Sequence, residues 1–198
     1  TGQASFTLSV LAVNDAPVVD AILDHETDED QAFEIALSAS DVDGDDLSFS
    51  ASVDGNALVS VDGTSLTVVP DLNYSGDIAV TVVVSDGEYS DSDTFVLTVN
   101  NLNDAPTVNP IANETIFEDE TFEMAVSGND VDLDDVISFS ASVDGNASVS
   151  VDGTSLTVVP DLNYSGSIQV TVTATDIDGE TGQASFTLSV LAVNDAPV

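Results

Sequence analysis

The stretch Phe49–Gly76, FSASVDGNALVSVDGTSLTVVPDLNYSG, returns at Phe139–Gly166 with one change, Leu58 becoming Ser148. Self-similarity at this spacing means that one structural unit is used repeatedly. The tetrapeptide Asn-Asp-Ala-Pro begins at Asn14, Asn103 and Asn194, at intervals of 89 and then 91 residues. The opening Thr1–Val18, TGQASFTLSVLAVNDAPV, recurs unchanged as Thr181–Val198. The chain therefore reads as an internal window of a longer periodic protein. Residues 1–15 read as the last strand and linker of a preceding repeat. Residues 16–104 form a first repeat, and 105–198 a second with its following linker. Pro17, Pro106 and Pro197 fix φ and push the residue before them toward extended backbone, so each joint is short and stiff.

Within a repeat the apolar period is two. Ile78, Val80, Val82 and Val84 share one face, as do Phe95, Leu97 and Val99. Phe33, Ile35 and Leu37 make a third stripe, and Leu66 and Val68 a fourth. The second repeat matches with Phe122/Met124/Val126, Ile168/Val170/Val172 and Phe186/Leu188/Val190. Such alternation specifies strands with one buried face. Val-Asp-Gly at 61–63 and 151–153 reads as a tight hairpin turn. The pattern predicts strands over 18–23, 32–38, 46–53, 57–61, 64–69, 77–85 and 93–101. Seven short strands in such a length predict an all-β, immunoglobulin-like Greek-key β-sandwich, here in tandem as a linear array. Tyr74 and Tyr164, just before the sixth strand, sit where a structural tyrosine corner belongs.

Charge limits what the array can touch. The chain has 37 Asp and Glu, no Lys or Arg, one His, and a formal net charge of -37. Nucleic acid is excluded as a partner, since phosphate contacts need Lys or Arg. Direct contact with an anionic membrane is disfavoured for the same reason. Cysteine is absent, which removes disulfides and thiolate metal sites. A disulfide-free extracellular chain needs another staple, and metal is available.

Strand parity places the acids. If the first strand runs down and each later strand reverses, the loops after strands two and six lie at the upper end, beside the preceding linker. These loops hold Asp41, Asp43, Asp45 and Asp86 in the first repeat, with linker residues Asn14 and Asp15. In the second they hold Asp130, Asp132, Asp134, Asp176 and Asp178, with Asn103 and Asp104. The lower loops hold Glu29, Asp30, Asp71 and Asn73, or Glu118, Asp119, Asp161 and Asn163, ahead of the next linker with Asn194 and Asp195. This inventory is all oxygen. Calcium takes six to eight oxygen ligands, whereas softer metals want nitrogen or sulfur. Like charges about 4 Å apart cost about 4 kcal/mol at an effective dielectric of 20, so the cluster calls for Ca2+, with two or three ions per joint. The plain alternative is turn chemistry, which Asp and Asn favour for local reasons. It is the reading for Asp54, Asp62, Asp144 and Asp152. Both readings stay open for Asp71 and Asn73. His25 reads as a surface residue, and the four Asn-x-Ser/Thr sequons are a weak signal in so Asn- and Ser-rich a chain.

The Asn-Asp-Ala-Pro linker, Glu29-Asp30 before strand two, Asp41-Val-Asp43-Gly-Asp45 and Asn73-Tyr-Ser-Gly before strand six resemble the cadherin-like tandem repeats of large bacterial surface adhesins, including those secreted with RTX-type tails. The resemblance spans essentially the whole chain. It implies a cell-surface, extracellular extender that projects an adhesive tip and is stiffened by calcium. By analogy Asn103, Asp104, Asp130, Asp132, Glu29 and Asp71 hold the ion at the joint. Asp71-Leu72-Asn73 stands where cadherins have Asp-Arg-Glu, and Leu133 replaces the loop glycine found at Gly44. The RTX nonapeptide is absent, and the EF-hand pattern fails at Asp46 and Ser52.

An enzyme is the weakest class: paired carboxylates could serve a glycosidase, but here they recur in loops at every joint. A carbohydrate- or protein-binding module is the main alternative, with Tyr89 as its one aromatic platform. The expected partners are neighbouring repeats of the same chain. A further alternative is other copies of the chain, reached through residues 1–13 as a donated strand in a strand-exchange filament.

Overall fold

The computed structural model describes residues 2–132 and 136–194, and they form strands without a helix. The chain divides into two compact units, Thr1–Leu102 and Asn103–Val198.

In the first unit the strands are β1 (Val18–Val19), β2 (His25–Asp28), β3 (Phe33–Ala36), β4 (Ala39–Ser40), β5 (Ser48–Val53), β6 (Ala57–Asp62), β7 (Ser65–Pro70), β8 (Gly76–Ser85) and β9 (Ser90–Asn100). One sheet has the order β2-β9-β8-β5 and the other β3-β7-β6, while β1 pairs with β4. The two inner faces meet in a core of Leu66, Val68, Ile78, Val80, Val82, Val84, Phe95 and Leu97. β2 runs parallel to β9. The first and last strands therefore share a direction, as the parity argument requires.

The expected strand over 18–23 is instead split. The chain leaves β4 after Val19 and joins β9 at His25. A segment that changes sheets cannot use a ladder, and its backbone donors still need acceptors. Carboxylates supply them: Asp91 Oδ2 accepts from Val19 N–H at 3.0 Å and Asp93 Oδ2 from Ile22 N–H at 2.7 Å. The apolar pair Ile22-Leu23 makes this crossing look like continued strand in the sequence.

The second unit repeats the plan with β10 (Thr107–Val108), β11 (Glu114–Phe117), β12 (Phe122–Ala125), β13 (Gly128–Asn129), β14 (Ser138–Val143), β15 (Ala147–Asp152), β16 (Ser155–Pro160), β17 (Gly166–Thr175) and β18 (Thr181–Leu191). Its sheets are β11-β18-β17-β14 and β12-β16-β15, with β10 on β13. Here the counterpart of Asp91 is Gly182. A Cβ on Gly182 would lie 1.7 Å from the Pro106 carbonyl oxygen, so this repeat seats its first strand by close backbone approach instead of a carboxylate clamp. Gly182→Ala is expected to destabilise the second repeat by about 1–3 kcal/mol, the usual penalty for overpacking. A urea titration followed at the second repeat should show the lower midpoint, with the first repeat unchanged.

Tyr74 and Tyr164 have the structural role expected. Their hydroxyls donate to the carbonyls of Asp77 at 3.0 Å and Ser167 at 3.1 Å. Residues 2–13 form no strand, and Phe6 is 90% exposed.

Candidate metal site

At the end of the first unit where the preceding linker enters, Asp41, Asp43 and Asp45 turn their carboxylates toward one another. One oxygen from each lies within 4.8 Å of the others. The loop is wound around Asp41, whose Oδ1 accepts from the N–H groups of Asp43 at 2.8 Å, Gly44 at 2.9 Å and Asp45 at 3.4 Å. Gly44, at φ 80°, supplies the left-handed turn that brings Asp45 back over the loop. The other oxygen, Asp41 Oδ2, is buried and has no hydrogen-bond partner. A buried charged oxygen left in that state is costly unless something positive meets it.

The linker and the second upper loop close on the same place. Asp43 Oδ2 accepts from Asp15 N–H at 2.8 Å, and the Asn14 amide donates to Asp86 Oδ2 at 2.9 Å. Asp86 Oδ1 also takes the N–H groups of Glu88 and Tyr89, both at 2.7 Å. The Tyr89 and Glu88 N–H groups hold the Asp86 carboxyl below its ordinary pKa, with help from Asn14. Asp45 is moved the other way, by partial desolvation and by the charges of Asp41, Asp43, Asp86 and Asp46. A raised carboxyl among carboxylates is the electrostatic sign of a cluster short of positive charge.

The second unit builds the same end independently. Asp104 N–H donates to Asp132 Oδ2 at 2.7 Å, Asn103 to Asp176 Oδ2 at 3.0 Å, and Asp132 N–H to Asp130 Oδ1 at 3.1 Å. Asp130 Oδ2, the counterpart of Asp41 Oδ2, is again buried without a partner. Burial pushes the Asp176 carboxyl up, but the Asn103 amide and the N–H groups of Glu180, Gly179 and Asp178 outweigh it, and the net shift is downward. Asp178 thus enters through its backbone. Asp134 and Asp195 lie outside the described residues, and Asn194 is the last residue before that limit.

At the opposite end of each unit the acids act differently. Glu29, only 3% exposed, accepts from Leu102 N–H at 2.5 Å through Oε1, and Glu118 does the same for Val193. One oxygen of each is therefore committed to holding the outgoing linker. Asp30 Oδ1 accepts from Asn73 N–H at 3.0 Å and Asp119 Oδ1 from Asn163 N–H at 3.0 Å. All four residues are left-handed, at φ 54° to 62°, a conformation Asn and Asp tolerate best among non-glycine residues. Asp71 and Asp161 join through backbone: each donates its N–H to Asn56 or Asn146 and accepts from Tyr74 or Tyr164.

Two features escaped sequence reading. Asp46 belongs to the charge environment of Asp45, and the unbroken acid run of the loop was its only signal. Asp54 and Asp144 are more than turn formers. Their Oδ1 atoms accept from Ala79 N–H at 3.0 Å and Gln169 N–H at 2.9 Å, tying the hairpin to the long central strand.

Comparison with known proteins bears on the fold. The bacterial Ig domain family matches residues 14–100 and again residues 103–189. No curated protein sequence matches the chain. The solved structure of human protocadherin-24 EC1-2 is similar at TM-score 0.53 and 19% identity, covering 93% of this chain and 100% of that one. The human desmocollin-1 ectodomain is similar at TM-score 0.52 and 13% identity, over 91% of this chain and 41% of that one. An endo-fucoidan hydrolase of glycoside hydrolase family 107 aligns at TM-score 0.38 and 17% identity, with this chain spanning 29% of its length.

Proposed function

We propose that this chain, which belongs to the bacterial Ig domain family as two consecutive members, is a calcium-stiffened extender segment of an extracellular adhesin or filament. It is not an enzyme. The observation that carries this reading is the buried, unpartnered Oδ2 of Asp41, repeated at Asp130. The chain has no Lys or Arg to meet these oxygens. The donors around them are carboxylates and an amide, the set that suits Ca2+. Asp41, Asp43, Asp45, Asp86 and Asn14 would hold the ion in the first repeat. Asp130, Asp132, Asp176 and Asn103 would hold it in the second. Bound calcium would neutralise the cluster and fix the linker against the loops.

The anchoring of the linker supports this reading. Leu102 N–H is held by Glu29 of the first repeat, and the adjacent Asn103 and Asp104 are held by Asp176 and Asp132 of the second. Each half of the linker is thus anchored by its own repeat, which supports the stiffening proposed. Strands rise about 3.4 Å per residue, so each short-stranded repeat adds roughly 40 Å to a stalk.

Small-angle scattering of the two-repeat chain, in excess calcium and then in chelator, tests the reading. A longer, stiffer particle with calcium is expected. Superimposable profiles would leave the acids as solvated turns and remove the extender mechanism. Asp41→Asn with Asp130→Asn should weaken calcium binding at least tenfold in a fluorescence or calorimetric titration. The calcium-free chain should become slightly more stable, because the change removes an unpaired buried charge without losing the Oδ1 acceptor. A loss of stability without calcium would assign these two residues to the turn alone.

A further inference from the structure

The acids of this chain are unevenly spread, and on one face of the second sandwich the outward positions of β14, β17 and β18 carry none, with Asp144 at the rim beside Gln169. On the sheet β11-β18-β17-β14, side chains of β17 alternate between the core and the outside. Every outward position of β14 from Ser138 to Ser142, of β17 from Ser167 to Thr175 and of β18 from Thr181 to Ser189 is Ser, Thr or Gln. The register aligns them in rows, such as Ser185–Thr171–Ser142 and Gln183–Thr173–Ser140. Thr171 and Ser185 share a hydroxyl hydrogen bond of 2.9 Å across the strands. The first repeat keeps the pattern through Thr94–Thr81–Ser52, with Thr81 and Thr94 paired at 2.9 Å. On that face it adds Val83, Ala79 and Val96, with Asp77 the one acid at an outward position of β5, β8 or β9 and Asp54 at the rim beside Ala79. The opposite sheet differs, since Glu123 and Asp152 lie in its outward rows beside Thr157 and Ser155.

We propose that this neutral hydroxyl and amide face is a lateral contact surface for a second copy of the same chain. The argument is one of charge and of donors. A chain of net charge -37 repels its copies wherever carboxylate meets carboxylate. Carboxylates only accept hydrogen bonds, and without Lys or Arg this chain must find donors elsewhere. Hydroxyls and amides both donate and accept, so this face is complementary to itself, which is what a two-fold contact between copies requires. Opposite-sheet contact would bring Glu123 and Asp152 into the interface. The contact is distinct from strand donation by residues 1–13, and it does not depend on the extender reading.

The face is small. Rows about 7 Å apart on strands about 4.8 Å apart give roughly 400 Å² per repeat, half the roughly 800 Å² per partner of a standard interface. One pair of faces therefore binds weakly, and the association is expected only at high concentration. The experiment is a dilution series of isotope-labelled two-repeat chain in calcium-containing buffer, from millimolar to tens of micromolar, read by amide chemical shifts. Shifts confined to β14, β17 and β18 and their first-repeat counterparts are expected. Thr173→Asp should weaken the association at least tenfold, while Thr157→Asp on the opposite sheet leaves it unchanged. Concentration-independent shifts, shifts that survive Thr173→Asp, or shifts on this face that arise only on adding a neutral polysaccharide such as dextran would overturn the proposal.

Discussion

Calcium is expected to raise the melting temperature of the two-repeat chain by roughly 10–20 °C, with chelation removing the whole gain. A ligand that binds only the folded state stabilises it by about 2.7 kcal/mol at one hundred times its dissociation constant. For a domain of this size one kcal/mol moves the midpoint by about 4–8 °C. The folded state alone gathers the proposed ligands: Asp41, Asp43 and Asp45 converge, and Asp15 and Asn14 are drawn in from the linker. Unfolding scatters them, and the affinity goes with them. Magnesium at the same concentration should give a smaller shift, because it demands a tight octahedron and dehydrates reluctantly. Sodium chloride screens the general repulsion of the -37 chain and sets the baseline. Calorimetry at matched ionic strength separates these contributions. A calcium shift no larger than the salt shift would show that only screening is at work.

Most of the sandwich was legible in the sequence, because its inner faces obey period two without interruption. Alternation alone places Ile78, Val80, Val82 and Val84, and Phe95, Leu97 and Val99, inward, and all seven are buried. The sheet change between Val19 and His25 was not legible. Its acceptors, Asp91 and Asp93, lie more than seventy residues away, and no local pattern encodes such a partner. The limit is sharpest where one sequence meets two contexts. Gly2–Val13 and Gly182–Val193 are identical, yet Phe186 is 1% exposed within β18 while Phe6 is 90% exposed. Alternation describes a face that can be buried, and the neighbouring strands decide whether it is. The acidic end was readable for a related reason. Parity follows from strand count, so it named the loops that converge. It could not distinguish Asp41, with its orphaned oxygen, from Glu29, whose carboxylate holds a linker N–H.

Phe95→Ala is expected to split the thermal unfolding of the chain into two transitions. Each repeat has its own core, built on Phe95 in the first and Phe186 in the second. Phe95 is 1% exposed, and its ring lies 6.2 Å from that of Phe33 and 5.9 Å from that of His25, which is half-buried against both rings and not the surface residue expected from sequence. Truncating a buried Phe costs about 3–5 kcal/mol through lost transfer energy and the cavity left behind. That is a large share of the roughly 5–15 kcal/mol by which a domain is stable. The first repeat should melt early and the second should keep its midpoint. The mirror variant, Phe186→Ala, reverses the order. It should cost somewhat less, since Glu114 stands where His25 packs in the first repeat and the aromatic contact there is Phe122 at 5.8 Å. Such ring contacts are worth about 0.5–1.5 kcal/mol each beyond their area. Run in chelator, the pair of variants measures each sandwich separately. Run in calcium, it measures how far an ion shared with the linker makes one repeat depend on the other. If the midpoint of the intact repeat falls with its damaged neighbour only in calcium, the ion couples the repeats. If the two transitions stay independent in both conditions, any bound calcium serves each sandwich alone and the proposed stiffening fails.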